Sequence, residues 1–126
     1  MQLYHDMATF ERHMAQYKAL KDMANLPAGT PQGRVELLFL AAYHLIDACA
    51  AKKGQHINKH QNVRRELEAK PIILGERTER VWRAFNDLQG DFRAKFVYGG
   101  DWKEKELEEA VQRFETVERL CLEVLG

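Results

Sequence analysis

Residues 34–53 read RVELLFLAAYHLIDACAAKK, and the spacing of their apolar side chains decides the fold class. Val35, Leu38, Phe39, Ala42, Leu45, Ile46 and Cys49 recur at steps of three and four, the broad stripe of a helix running from about Arg34 to Lys53. Leu37, Ala41 and Ala48 make the adjoining side apolar too. A helix apolar on more than one side is central in its domain or lies at a subunit interface. Pairing two such helices about a two-fold axis would bury the surplus, so a homodimer is expected. Gly54 stops the helix.

The same period continues on both sides. Upstream, Leu3, Met7, Phe10, Met14 and Tyr17 share one face of a first helix, ended by Asn25 and LPAGTPQG (26–33). Downstream, Asn58 is placed to cap a short third helix that must finish near Lys70, before Pro71. Val81, Phe85, Leu88 and Phe92 form the seam of a fourth helix with Trp82 beside it; Gly90 weakens it late and YGG (98–100) closes it. Asp101 with Glu104 resembles a capping box ahead of a last helix carrying Leu107, Val111, Phe114, Val117, Cys121 and Val124. No stretch alternates at period two. The expectation is one all-α domain over residues 1–126, an up-and-down four-helix bundle with an additional short helix.

Composition narrows the function classes. The chain has 126 residues, and 19 Lys and Arg balance 19 Asp and Glu, which argues against sequence-blind binding to long duplexes. No apolar run approaches the ~18 residues of a membrane span and no signal segment opens the chain, so a cytoplasmic protein without membrane contact is expected. Cys49 and Cys121 sit inside helical patterns and read as reduced core residues. The charge is nonetheless uneven. From Ala48 to Arg65 there is no acid, while Lys52, Lys53, Lys59, Arg64 and Arg65 accompany His56 and His60. From Asp101 onward acids outnumber bases. A local basic rim of that kind suits an anion or a short single strand.

Polar residues inside apolar patterns are the candidate site. His44 falls on the second side of helix two, and Asp47, one turn on, is placed to orient its ring. His60 aligns with His56, Val63 and Leu67 and faces inward. Each can be a packed core residue, or part of a metal site in which His56 and His60 share an ion with His44 or Asp47. No H-E-x-x-H or E-x-x-H supports zinc or di-iron chemistry, and neither a metal nor a cofactor is expected. No G-x-S-x-G, P-loop or G-x-G-x-x-G occurs. His5 beside Asp6 and His13 beside Arg12 read as solvated. Arg77, Arg80 and Arg83, with Glu76 and Glu79, read as a salt-bridged outer face. Arg93 differs: it adjoins the seam residue Phe92 and precedes Tyr98, so it needs a partner or an anion.

The run AAYHLIDACAAKKGQHINKHQNVRREL (41–67), followed by FRAKFVYGG (92–100), resembles the HEPN family (higher eukaryotes and prokaryotes nucleotide-binding domain) from about Val35 to Leu125. The likeness is carried by the Tyr43–His44 pair in an Ala-rich, Gly-ended helix, the short basic loop, His60 leading the next helix, and Arg93 ahead of Tyr98. It implies an all-α bundle, often dimeric, that binds nucleotides or RNA beside a nucleotidyltransferase partner in toxin–antitoxin or related defence systems. Catalytic members of that family cut RNA with an Arg followed four to six residues later by a His. Here the motif is R-x4-Y, and no arginine has a histidine four to seven residues downstream. A tyrosine is a poor general base at neutral pH. The expected function is therefore a non-catalytic module without catalytic residues. It binds a nucleotide, a short RNA or such a partner through Arg93, Tyr98, His44, Asp47, His60, Lys59 and Arg64. The alternatives are a residual metal-independent ribonuclease, a purely structural or interaction bundle, and a metal bundle of the DinB kind.

Overall fold

The computed structural model describes residues 2–126, with side chains from Met7 onward, so the readings of Leu3, His5 and Asp6 lie outside the described side chains. Helix α1 spans Gln2–Ala24, α2 Pro31–Lys52, α3 Val63–Ala69, α4 Thr78–Asp87, α5 Arg93–Phe96 and α6 Glu104–Leu125. A π-helical turn, Leu88–Phe92, joins α4 to α5 without a break, and 3-10 turns at His60–Asn62 and Gly75–Arg77 lead into α3 and α4. Among the described residues there is no strand, and no helix is long and apolar enough to cross a membrane.

Helix α2 is the centre of the molecule. Its main stripe is buried, and so are Ala41, Ala48 and Ala51 on its second side, where Leu37 is half-buried. Helix α1 packs along it, and α6, α4 and α5 take its other sides. Most of the surplus apolar surface behind the homodimer expectation is thus covered within one chain. Seen from the fourth helix, Val81, Phe85, Leu88 and Phe92 are buried as their spacing requires, and in α6 so are Leu107, Phe114, Val117 and Cys121. Cys49 and Cys121 are free buried thiols on facing helices; Cys49 Sγ lies 3.7 Å from the Cys121 carbonyl oxygen.

Four local expectations are corrected. Helix α2 starts at Pro31 rather than Arg34, because Thr30 Oγ1 accepts the Gly33 N–H at 3.0 Å and Pro31 sits where no N–H is needed. Asn58 caps nothing: the chain is irregular from Gly54 to Lys59, and α3 begins at Val63 without a side-chain cap. The N-cap of α6 is Lys103, whose backbone N–H donates to Glu106 Oε1 at 3.0 Å, two residues beyond the expected box at Asp101. Met7 is 46 % exposed; Tyr17 is buried as expected, and Thr9 and Ala24 join it on the buried face of α1. His13, one turn before Tyr17, also meets α2.

Two glycines set the ends that matter. Gly54 has φ +69° and turns the chain off α2. At the end of α5 the Val97 and Tyr98 N–H groups both donate to the Arg93 carbonyl, and Gly100 donates to Ala94. Gly99 there has φ +85°, and a Cβ on Gly100 would come within 3.0 Å of Ala94 backbone. The YGG turn therefore folds Tyr98 back over Arg93.

Candidate functional site

Phe39, fully buried on α2, organises the first group of candidate residues. The Arg93 guanidinium lies over its ring at 4.1 Å, Phe85 stacks on it at 5.4 Å, and the His60 ring meets it edge-on at 5.2 Å. His60 also stands edge-on to Tyr43 at 6.0 Å, and Tyr43 neighbours His44 at 5.7 Å. A continuous row thus runs Tyr98, Arg93, Phe39, His60, Tyr43, His44, drawn from three separate stretches of chain.

Arg93 is 14 % exposed and does not face open solvent. Its Nε donates to Glu36 Oε2 at 3.0 Å and its Nη2 to Glu36 Oε1 at 3.3 Å, a bidentate pair between α5 and α2. Nη2 also donates to the Tyr98 hydroxyl at 3.0 Å, while the Tyr98 side chain is 69 % exposed. The partner that Arg93 needs is therefore, first, a carboxylate of its own chain. His60 Nδ1 pairs with Gln89 Oε1 at 3.0 Å, across to the π turn that contains Gln89.

The basic segment does not close on this row as a unit. Arg64 stacks on Trp82 at 4.0 Å and pairs with Glu68 at 3.1 Å, on the α3–α4 side. Lys52 lies over Phe10 at 5.1 Å, and Arg65 approaches Glu66. Lys53 and Lys59 are exposed. Arg77 pairs with Glu123 and Arg83 with Glu79, so that outer face is salt-bridged as its sequence suggests.

His44 and Asp47 belong to a second group. They line a pocket of about 580 Å³ between α1, α2 and the loop at 56–58, with Arg12, His13, Tyr43 and His56. The size is that of a small-ligand site. His44 Nδ1 and His13 Nδ1 are 2.9 Å apart, so one ring donates to the other, and His13 Nε2 is 3.9 Å from Asp47 Oδ2. Burial holds His44 below the ordinary imidazole range; burial, then the positive fields of His44, Arg12 and His56, bring His13 down to about 4. Asp47 is 5 % exposed and its Oδ1 is sealed from solvent with no hydrogen-bond partner. Burial pushes its carboxyl up to about 7. Tyr43 has a single hydroxyl proton, and its oxygen lies 3.0 Å from the Ile57 carbonyl. With that proton given to Ile57, the Tyr43 oxygen suits a neutral, protonated Asp47 better than a carboxylate.

His13, read as solvated, is thus the residue that sequence reasoning missed, together with Glu36, Phe39 and Gln89. The i, i+4 reading of His56 and His60 is corrected as well. The two do not share a helix; His56 lines the pocket and His60 turns to Gln89. Among the described residues no group of three or more His, Cys, Asp and Glu is placed to hold a metal ion. Compared with models of protein families, with curated proteins and with solved structures, the chain matches none.

Proposed function

We propose that the chain is a non-catalytic HEPN-like domain, an up-and-down four-helix bundle with a short extra helix, that binds a nucleotide or the end of a short RNA strand. The observation that carries this reading is the row Tyr98–Arg93–Phe39–His60–Tyr43–His44, because the residues that carry the family resemblance, distant in sequence, become contiguous around Phe39. A guanidinium held on an aromatic face beside an exposed phenol suits a phosphate and a stacked base. The described hydrogen-bond partners of Arg93 are Glu36 and Tyr98, so the histidine that the family's cleavage motif sets beside its arginine is replaced here by Tyr98. Binding without cleavage is the consequence. A nucleotidyltransferase-type partner and self-pairing belong to the same family reading; the burial of α2 within the chain gives no separate support for pairing.

Glu36 sets the strength of the site, since an incoming phosphate has to share Arg93 with it. Calorimetric titration with ATP and with short single-stranded RNA at low salt is expected to give saturable binding, with the RNA recovered intact. Arg93→Ala is expected to weaken it about tenfold. Absence of binding to every nucleotide and RNA would end the ligand reading. The Arg93–Glu36 pair itself favours a second reading, a structural or interaction bundle in which that pair clamps α5 to α2. Under it Arg93→Ala lowers stability and no ligand is taken up.

A further inference from the structure

The pocket between α1, α2 and the 56–58 loop adjoins the far end of the Arg93 row, with which it shares Tyr43 and His44, and its charge inventory is one-sided. The titratable and charged groups facing it are Arg12 and His13 from α1, Tyr43, His44 and Asp47 from α2, and His56 from the loop. One carboxyl stands against a guanidinium and three imidazoles. The loop wall comes from the acid-free stretch 48–65, which adds no compensating charge.

We propose that this pocket takes up a phosphate-type oxyanion together with protons. Two observations carry the step. Asp47 Oδ1 is sealed off without a donor, and a charged carboxylate oxygen in that position would go unsatisfied, so the acid is neutral when the pocket is filled and does not repel an anion. His13 and His44 touch through their Nδ1 atoms at 2.9 Å, a contact with room for one hydrogen, so at most one of the two is an imidazolium in this arrangement. An oxyanion seated among Arg12, His13, His44 and His56 compensates that charge, and each imidazole it meets becomes a better proton acceptor. Burial lowers the proton affinity of His44, and burial with the field of His44 lowers that of His13, which leaves a proton to be gained as the anion binds.

The inference does not rest on the Arg93 assignment: its test begins with inorganic anions and turns on Arg12, which lies outside that row. The full chain is titrated calorimetrically with sodium sulfate, which keeps its charge across the range, and with inorganic phosphate. Titrations are run near pH 6 and near pH 8, in buffers of differing ionisation enthalpy. Expected is one site per chain, bound about tenfold more tightly at the lower pH, with net proton uptake. Arg12→Gln, an exposed position, lowers affinity several-fold and His44→Gln reduces the proton uptake, whereas Arg83→Ala, an equal loss of surface charge elsewhere, changes neither. AMP and adenosine separate the sources. AMP tighter than phosphate assigns the oxyanion to a nucleotide, equal affinity assigns it to the free ion, and adenosine binding as well as AMP overturns the proposal. Binding that is independent of pH, or that strengthens as pH rises, overturns it too. So does a stoichiometric transition metal in untagged protein, because the imidazoles would then serve a cation.

Discussion

Replacing Phe39 by alanine is expected to lower the unfolding free energy by about 4 kcal/mol. In a domain of this size that amounts to a fall of roughly 12–16 °C in melting temperature. The ring is fully buried and touches three different parts of the chain: Phe85 of α4, His60 of the turn before α3, and Arg93 of α5. Removing it leaves a cavity that these neighbours, anchored on separate elements, cannot jointly close. It also strips the aromatic face from beneath a guanidinium that is largely screened from water. Phe39→Leu keeps most of the volume and is expected to cost about 1.5 kcal/mol. Denaturant unfolding of the two variants against the parent measures both. A Phe39→Ala loss below about 1.5 kcal/mol would mean that the three elements do not meet on this ring.

Asp47→Asn is expected to stabilise the protein at alkaline pH and to do little at acid pH. The sign follows from where the proton is bound. In the folded chain the Asp47 carboxyl titrates at about 7, and unfolded it returns to about 3.8. Between those values the folded state holds a proton that the unfolded state has released, so this group's contribution falls as pH rises and is flat above about 7. His13 and His44 act in the opposite direction. Held below 6.5 in the folded chain, they favour folding above that pH, and the benefit is lost as pH falls toward about 4. In the parent protein the two trends partly cancel; in Asp47→Asn only the histidine trend remains. The variant is therefore near parity with the parent at pH 4 and more stable at pH 8 by roughly 2–4 kcal/mol. Thermal or denaturant unfolding across that range reads the difference directly. An Asp47→Asn protein less stable than its parent at pH 8 would mean that a cation holds the carboxylate and lowers, rather than raises, its proton affinity.

What the sequence disclosed was periodic, and what it concealed was non-local. The stripe of α2, the seam Val81–Phe85–Leu88–Phe92 and the inner face of α6 were readable because burial repeats with the helical turn. Pro31 misled because proline both breaks and begins helices, and only the Thr30 hydroxyl bond to Gly33 decides which. On the first helix Tyr17 is buried and Met14 packs against the core as expected, while Met7 is exposed and Thr9 is buried in its place. Met7 is greasier than Thr9, yet α2 presents polar Asp47 and His44 at that end, and the polar side of α1 turns toward them. Arg93 could be recognised as needing a partner, but nothing local pointed to Glu36, 57 residues earlier in the chain. The π turn at Leu88–Phe92, which aligns Gln89 with His60, showed in the sequence only as Gly90.

The measurement closest to the proposed function is the affinity of Glu36→Gln for a short single-stranded RNA or ATP, set beside that of the parent at the same low salt. With the competing carboxylate gone and the Phe39 seat intact, Arg93 is expected to bind the phosphate about tenfold more tightly, the RNA remaining whole. Affinity unchanged or weakened in Glu36→Gln would contradict the assignment of Arg93 as the anion-holding group and leave the Arg93–Glu36 pair as a clamp between two helices.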